Sequence, residues 1–247
     1  MKYTQEFEEL LKICQENNQY VGLGNPNARI LFVGKEAALK VGTEHTDGSA
    51  DSFKNNDYSI SFKPNIDFEK EKKLLNYGHT WQKYQKLYEL IFQKLAVEIK
   101  SKEKYKITFV ENVFTTELSD LAALNTKTAK KNKDFEVNLS FRKKVFWKSN
   151  FIKQFPIVVL FADDNKYIET KKGEVCELFG VNFFHHLKCE KLGNIWVHFS
   201  KKENEIYPKL VIHTRQLTNG GSNDLIDKIA SIITDFIKEH SINIKVK

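Results

Sequence analysis

Residues 28–38 read ARILFVGKEAA: a run over 28–33, apolar but for Arg29 and unbroken from Ile30, that passes through Gly34 into the charged pair Lys35-Glu36. A strand with one wet face alternates apolar and polar side chains. An unbroken apolar run of this length instead suits a strand buried on both faces, as in a parallel sheet covered by helices. Upstream, Gly22, Gly24 and Asn25-Pro26 punctuate the chain. Before them, residues 3–18 place Phe7, Leu10, Leu11 and Cys14 on one face of an amphipathic helix. Downstream, residues 35–78 are polar and loop-like, with Gly42, Gly48 and Pro64. So long an excursion in a compact domain points to function.

The pattern repeats along the chain. Thr80 reads as the cap of a helix carrying Trp81, Tyr84, Tyr88, Ile91, Phe92 and Leu95 on one stripe. A strand over 107–113, a helix over 138–154 and a strand over 157–161 follow. Strand-like runs at 181–184 and 195–199 precede a core strand over 209–213. After Gly220-Gly221-Ser222, a last helix sets Leu225, Ile226, Ile229, Ile233, Phe236 and Ile237 on its apolar side. Apolar strands alternating with amphipathic helices imply an α/β fold with a mainly parallel sheet covered on both faces. At 247 residues, with no linker or repeat, the chain reads as a single domain spanning 1–247.

The net charge of +7 favours an anionic partner, although only three of the 39 basic residues are arginines (Arg29, Arg142 and Arg215). Three scattered cysteines cannot build a disulfide framework, and no apolar run is long enough to span a bilayer. These features lead us to expect a cytoplasmic chain that does not enter membranes. Neither a Walker-type loop nor a GxGxxG follows any strand, which disfavours nucleoside-triphosphate and dinucleotide enzymes. Cys176, His185, His186 and Cys189 have the residue types for zinc, but adjacent histidines on an extended segment face opposite ways. Asp163-Asp164 reads as an acidic turn. Neither metal nor cofactor is expected.

Three core strands end in chemically capable residues: Gly34-Lys35-Glu36-Ala37-Ala38, Glu111-Asn112-Val113-Phe114 and Ile212-His213-Thr214-Arg215-Gln216-Leu217. In a parallel sheet these ends would converge on one edge, where ligands of open α/β sheets bind. The ordered set resembles the motifs of the uracil-DNA glycosylase superfamily: GNPNARILFVGKEAA is similar to its first motif, FVENVF to its asparagine-bearing strand and HTRQLT to its histidine loop. The chain departs from the family pattern at Ala37, where a proline is usual, and at Thr214-Arg215-Gln216 in place of Pro-Ser-Pro.

The resemblance implies a three-layer α/β/α architecture with a central, mainly parallel four-stranded sheet. It also implies a hydrolase that cleaves the N-glycosidic bond of a flipped damaged base, uracil or a relative, in single- or double-stranded DNA. Glu36 would orient a water and His213 would stabilise the departing base, as the catalytic pair. Asn112 would read the base edge, with a stacking aromatic from among Phe53, Tyr58 and Phe62. Leu217 would be the wedge filling the vacated stack, and Lys35, Arg215 and Gln216 would contact DNA. The enzyme would act as a monomer. The alternative is a non-catalytic nucleic-acid or nucleotide-binding protein on the same scaffold.

Overall fold

The computed structural model describes residues 2–38, 48–55, 78–97, 107–169, 173–189, 193–200, 208–218 and 221–244. Seven strands, β1 (Leu23–Gly24), β2 (Ile30–Gly34), β3 (Val113–Glu117), β4 (Ile157–Phe161), β5 (Val181–Cys189), β6 (Gly193–Ser200) and β7 (Leu210–Thr214), form one mixed sheet in the order β1-β3-β2-β4-β7-β6-β5. The pairs β3·β2, β2·β4 and β4·β7 are parallel, while β1, β6 and β5 are added antiparallel. The expected four-stranded parallel sheet is therefore the centre of a larger mixed one. Residues 181–189 and 193–200 lie close enough in sequence to pair as a hairpin, which lets them extend the free edge of β7 without a crossover.

Helices cover both faces. Side chains alternate along each strand, so Leu31, Val33, Phe114, Val158, Leu160 and Val211 pack on one face with α1 (Gln5–Glu16), α2 (Ala50–Asn55) and residues 135–179. Ile30, Phe32, Val113, Val159, Phe161 and Ile212 pack on the other with α3 (Gly78–Lys94) and α8 (Asn223–Glu239). The Thr4 hydroxyl accepts from Phe7 N to start α1, and the Ser222 hydroxyl accepts from Leu225 N to start α8. The six apolar positions expected to face inward on α8 are all buried.

Three boundaries differ from the sequence reading. The expected strand over 107–113 is a 3-10 turn, Phe109–Glu111, and β3 begins only at Val113. The Gln85 side-chain oxygen Oε1 accepts from Thr108 N at 2.8 Å and Phe109 N at 2.9 Å, holding that segment against α3 before the strand starts. The helix expected over 138–154 is two, α5 (Phe135–Val145) and α6 (Asn150–Lys153), with Ser149 capping the second and the short α4 (Thr126–Ala129) ahead of both. Thr80 lies inside α3, where its hydroxyl meets that of Thr218. Farther along the chain, α7 (Glu174–Phe179) leads into β5.

Among the described residues, Arg142 of α5 is the one Lys, Arg, Asp or Glu that is fully buried. It is fully enclosed, with Nε donating to the Glu117 carbonyl at 3.0 Å, Nη1 to the Tyr20 carbonyl at 2.7 Å and Nη2 to Thr116 Oγ1 at 3.0 Å. Asp120 Oδ1 lies 4.0 Å from Nη1, and the guanidinium lies 3.8 Å from the centre of the Phe146 ring. The fork joins α5, the end of β3 and the segment before β1. Replacing Arg142 by Ala strands several acceptors at once and should cost about 3–5 kcal/mol in a urea unfolding titration. A loss below about 1 kcal/mol, the range of an exposed ion pair, would contradict this role.

Candidate active site at the carboxyl edge

Numbered among the parallel strands alone, the order is 2-1-3-4, so the connections leaving β2 and β4 diverge. The carboxyl ends of β2 and β4 therefore form the topological switch point, the place where such sheets bind ligands. From β2 come Lys35 and Glu36, from β3 Glu117, and from the loop after β4 Asp164 and Tyr167. Backbone pairing continues past the strands, with Leu118 N donating to Gly34 O at 2.9 Å and Ser119 N to Lys35 O at 2.8 Å. This continuation brings the two glutamates side by side.

Glu36 Oε1 accepts from Thr126 Oγ1 at 2.9 Å, while Oε2 is sealed from solvent in a carboxyl group that the Tyr167 phenol also meets. Glu117 Oε2 is likewise sealed. Gly34 makes room for it: a Cβ on that residue would lie 2.1 Å from Glu117 Oε2. Burial, the neighbouring Glu36 charge and, in the opposite sense, Arg142 together push the Glu117 carboxyl up to about 8. Glu117 therefore keeps its proton at neutral pH. Tyr167 is fully buried, and burial together with the adjacent Glu36 raises its phenol far above the ordinary range. Lys35 Nζ lies 3.5 Å from Thr126 Oγ1, 3.9 Å from Asp164 Oδ2 and 5.7 Å from the centre of the Tyr167 ring; Lys130 also pairs with Asp164. The result is a protonated acid beside a second carboxyl group, rimmed by two lysines. Environments that separate two carboxyl groups in this way divide acid from base roles.

The expected site residues do not all meet here. Glu36, Lys35 and His213 share the carboxyl half of the sheet, since Val33, Leu160 and His213 lie in register across β2, β4 and β7. His213, however, is fully buried. Its Nε2 bonds the Ala162 carbonyl at 3.0 Å, which requires the proton on Nε2, and its ring packs on Trp196. Asn112 precedes β3, so the strand carries it to the opposite edge, about 16 Å from Glu117 at about 3.3 Å per residue. The expectation that Asn112 joins Glu36 and His213 at one rim is corrected.

Phe53 is also corrected as a stacking group: it is a core ring within 6.3 Å of the Tyr3, Phe7 and Phe114 rings, with no exposed surface to offer a base. Tyr58 and Phe62 lie outside the described residues. Leu217 is fully buried beneath α3 and α8, so it presents no wedge in this conformation. Arg215 and Gln216 follow β7 half-buried. Farther out on this face, Lys143 and Lys148 pair with Glu174 at 2.6 Å and Glu177 at 3.1 Å.

Comparison with known proteins adds no relative. No family model matches the chain, and no curated protein or solved structure gives a significant match. The chemistry of the edge has to speak for itself. Sequence reasoning missed Glu117, Tyr167 and Thr126; the signal for Glu117 is a polar residue closing the run VFTTE, hidden because the expected strand ends four residues earlier.

The raised Glu117 group fixes the sign of a pH effect. The folded chain holds a proton that the unfolded chain has lost between pH 4.5 and about 8, so stability falls as pH rises through that window and levels off above it. Urea unfolding across this range should show the decline, and Glu117→Gln should flatten it. Gly34→Ala should shrink it, because the added Cβ displaces the carboxyl group toward water. A decline that survives Glu117→Gln unchanged would assign the proton elsewhere.

Proposed function

We propose that this protein is a hydrolase of the uracil-DNA glycosylase type, cleaving the N-glycosidic bond of a flipped damaged base in DNA at the carboxyl edge of β2 and β3. The observation that carries the reading is the Glu36–Glu117 pair at the carboxyl ends of β2 and β3, beside the switch point, with one sealed oxygen on each carboxyl group. A parallel four-strand centre covered on both faces is what the resemblance implies, and the net charge of +7 suits a polyanionic substrate.

Cleavage of an N-glycoside needs a nucleophile at the sugar carbon and a way for the base to leave without an unprotected negative charge. In the proposed division of labour, Glu36 orients a water and accepts its proton as the water oxygen bonds to the sugar carbon. Glu117 gives its proton to the departing base as the carbon–nitrogen bond breaks. The proton gained by Glu36 then passes to Glu117, which restores the pair. A neutral carboxyl group offers one donor and one acceptor, so Glu117 also presents the hydrogen-bonding pattern of an amide. Lys35 and Lys130 lie where a backbone phosphate could approach, each already shared with Asp164. His213 acts in this reading from within the sheet, holding the Ala162 carbonyl beside the crevice.

The enclosure of His213 and Leu217 favours a second reading, a non-catalytic nucleic-acid-binding module on the same scaffold. Alkali-labile site formation on oligonucleotides carrying uracil, hypoxanthine or a mismatch separates the two. The hydrolase should release base from at least one substrate, lose about a hundredfold or more in rate on Glu36→Gln or Glu117→Gln, and slow above pH about 8 as Glu117 deprotonates. Salt-sensitive binding without release from any substrate would leave only the binding module.

A further inference from the structure

A cavity of about 520 Å³ opens at the amino end of the parallel strands, on the opposite edge of the sheet from the carboxyl pair. Its wall is assembled from distant parts of the chain: Lys2 ahead of α1, Asn27 and Arg29 between β1 and β2, Asn112 before β3, Gln154 after α6 and Asn243 after α8. Four of these side chains are carboxamides and two are cations, and among the described residues no carboxylate lines the cavity. Such a wall repels no anion, and its amides can read both donors and acceptors.

Asn112 is the residue that points to a ligand. It is 5 % exposed, its Nδ2 donates to the Tyr88 hydroxyl at 2.9 Å, and its Oδ1 is sealed without any donor. Neighbouring amides are spent within the chain. Asn25 donates to the Glu111 carbonyl at 2.8 Å and accepts from Asn27 N at 2.9 Å, and Asn27 Nδ2 donates to the Lys2 carbonyl at 3.0 Å. A buried acceptor left unmade costs about 1–3 kcal/mol, a penalty that an incoming N–H would remove. The volume falls within the roughly 300–1,000 Å³ of small-molecule sites and exceeds what a lone phosphate fills.

We propose that this cavity binds a nucleoside monophosphate, with its phosphate between Lys2 and Arg29 and its base against Asn112, whose amide turns to bring Oδ1 out of its enclosure and onto an N–H of the base. The site is separate from the carboxyl edge and does not depend on hydrolysis there. Isothermal titration of the full chain with uridine 5′-monophosphate and adenosine 5′-monophosphate tests it, alongside uridine, adenosine and inorganic phosphate. At least one nucleotide should saturate and bind about tenfold or more tightly than its nucleoside or phosphate alone. Arg29→Ala, an exposed position whose loss should spare the fold, should weaken that binding about tenfold, and Asn112→Leu should bring the nucleotide down to the affinity of phosphate.

Glu36→Gln should leave the affinity unchanged, which distinguishes this cavity from the carboxyl edge. No saturation by either nucleotide up to about 10 mM would overturn the proposal. So would equal affinity for nucleotide and inorganic phosphate, or binding that is indifferent to Arg29→Ala.

Discussion

The carboxyl edge depends on one buried guanidinium. Arg142 enters from α5, binds the carbonyl of Glu117 and the hydroxyl of Thr116, and reaches the carbonyl of Tyr20. A charge in that place is costly to desolvate, and it is tolerated because its fork is filled by acceptors and its face by the Phe146 ring. The same cation lies near enough to Glu117 to moderate the rise in that group's proton affinity. Structure and chemistry at this edge are thus tied through a single side chain: the clamp that sets where β3 ends also sets the electrostatic surroundings of the acid at its tip.

The pair above the clamp is an arrangement that stability alone would not select. Two carboxyl groups are brought together, each with an oxygen sealed from water, and one strand gives up a side chain at Gly34 to admit Glu117. Hydrophobic replacements could fill the same volume without that electrostatic conflict. Groups kept in conflict at a topological switch point are where perturbed acids with a chemical task are commonly found. At the far edge, Asn112 shows a milder form of the same property, an acceptor held ready without a partner.

Local pattern made much of this architecture legible. The unbroken run before Gly34, the stripe on α8 and the apolar strand over 157–161 each report burial through periodicity, because a side chain's direction follows from its position in a helix or strand. Glu36 was recognisable at a strand end for the same reason. The second strand was misplaced because Thr115 and Thr116 look like solvent-facing residues, whereas both are buried, one of them holding the Val21 carbonyl. That shift moved attention to Asn112 and away from Glu117.

By itself, then, the sequence determined the class of fold, the burial of its central strands and the presence of a carboxylate after the first of them, since these follow from short-range spacing. Only the tertiary structure decided which polar residues stand together. Strand register sent Asn112 to one edge and Glu117 to the other, packing enclosed His213, Leu217 and Phe53, and the clamp by Arg142 joined residues more than a hundred positions apart. Proton affinity belongs to that second category: a glutamate's ordinary value is a property of its type, but its displacement comes from desolvation and neighbouring charge, which exist only once distant segments have packed.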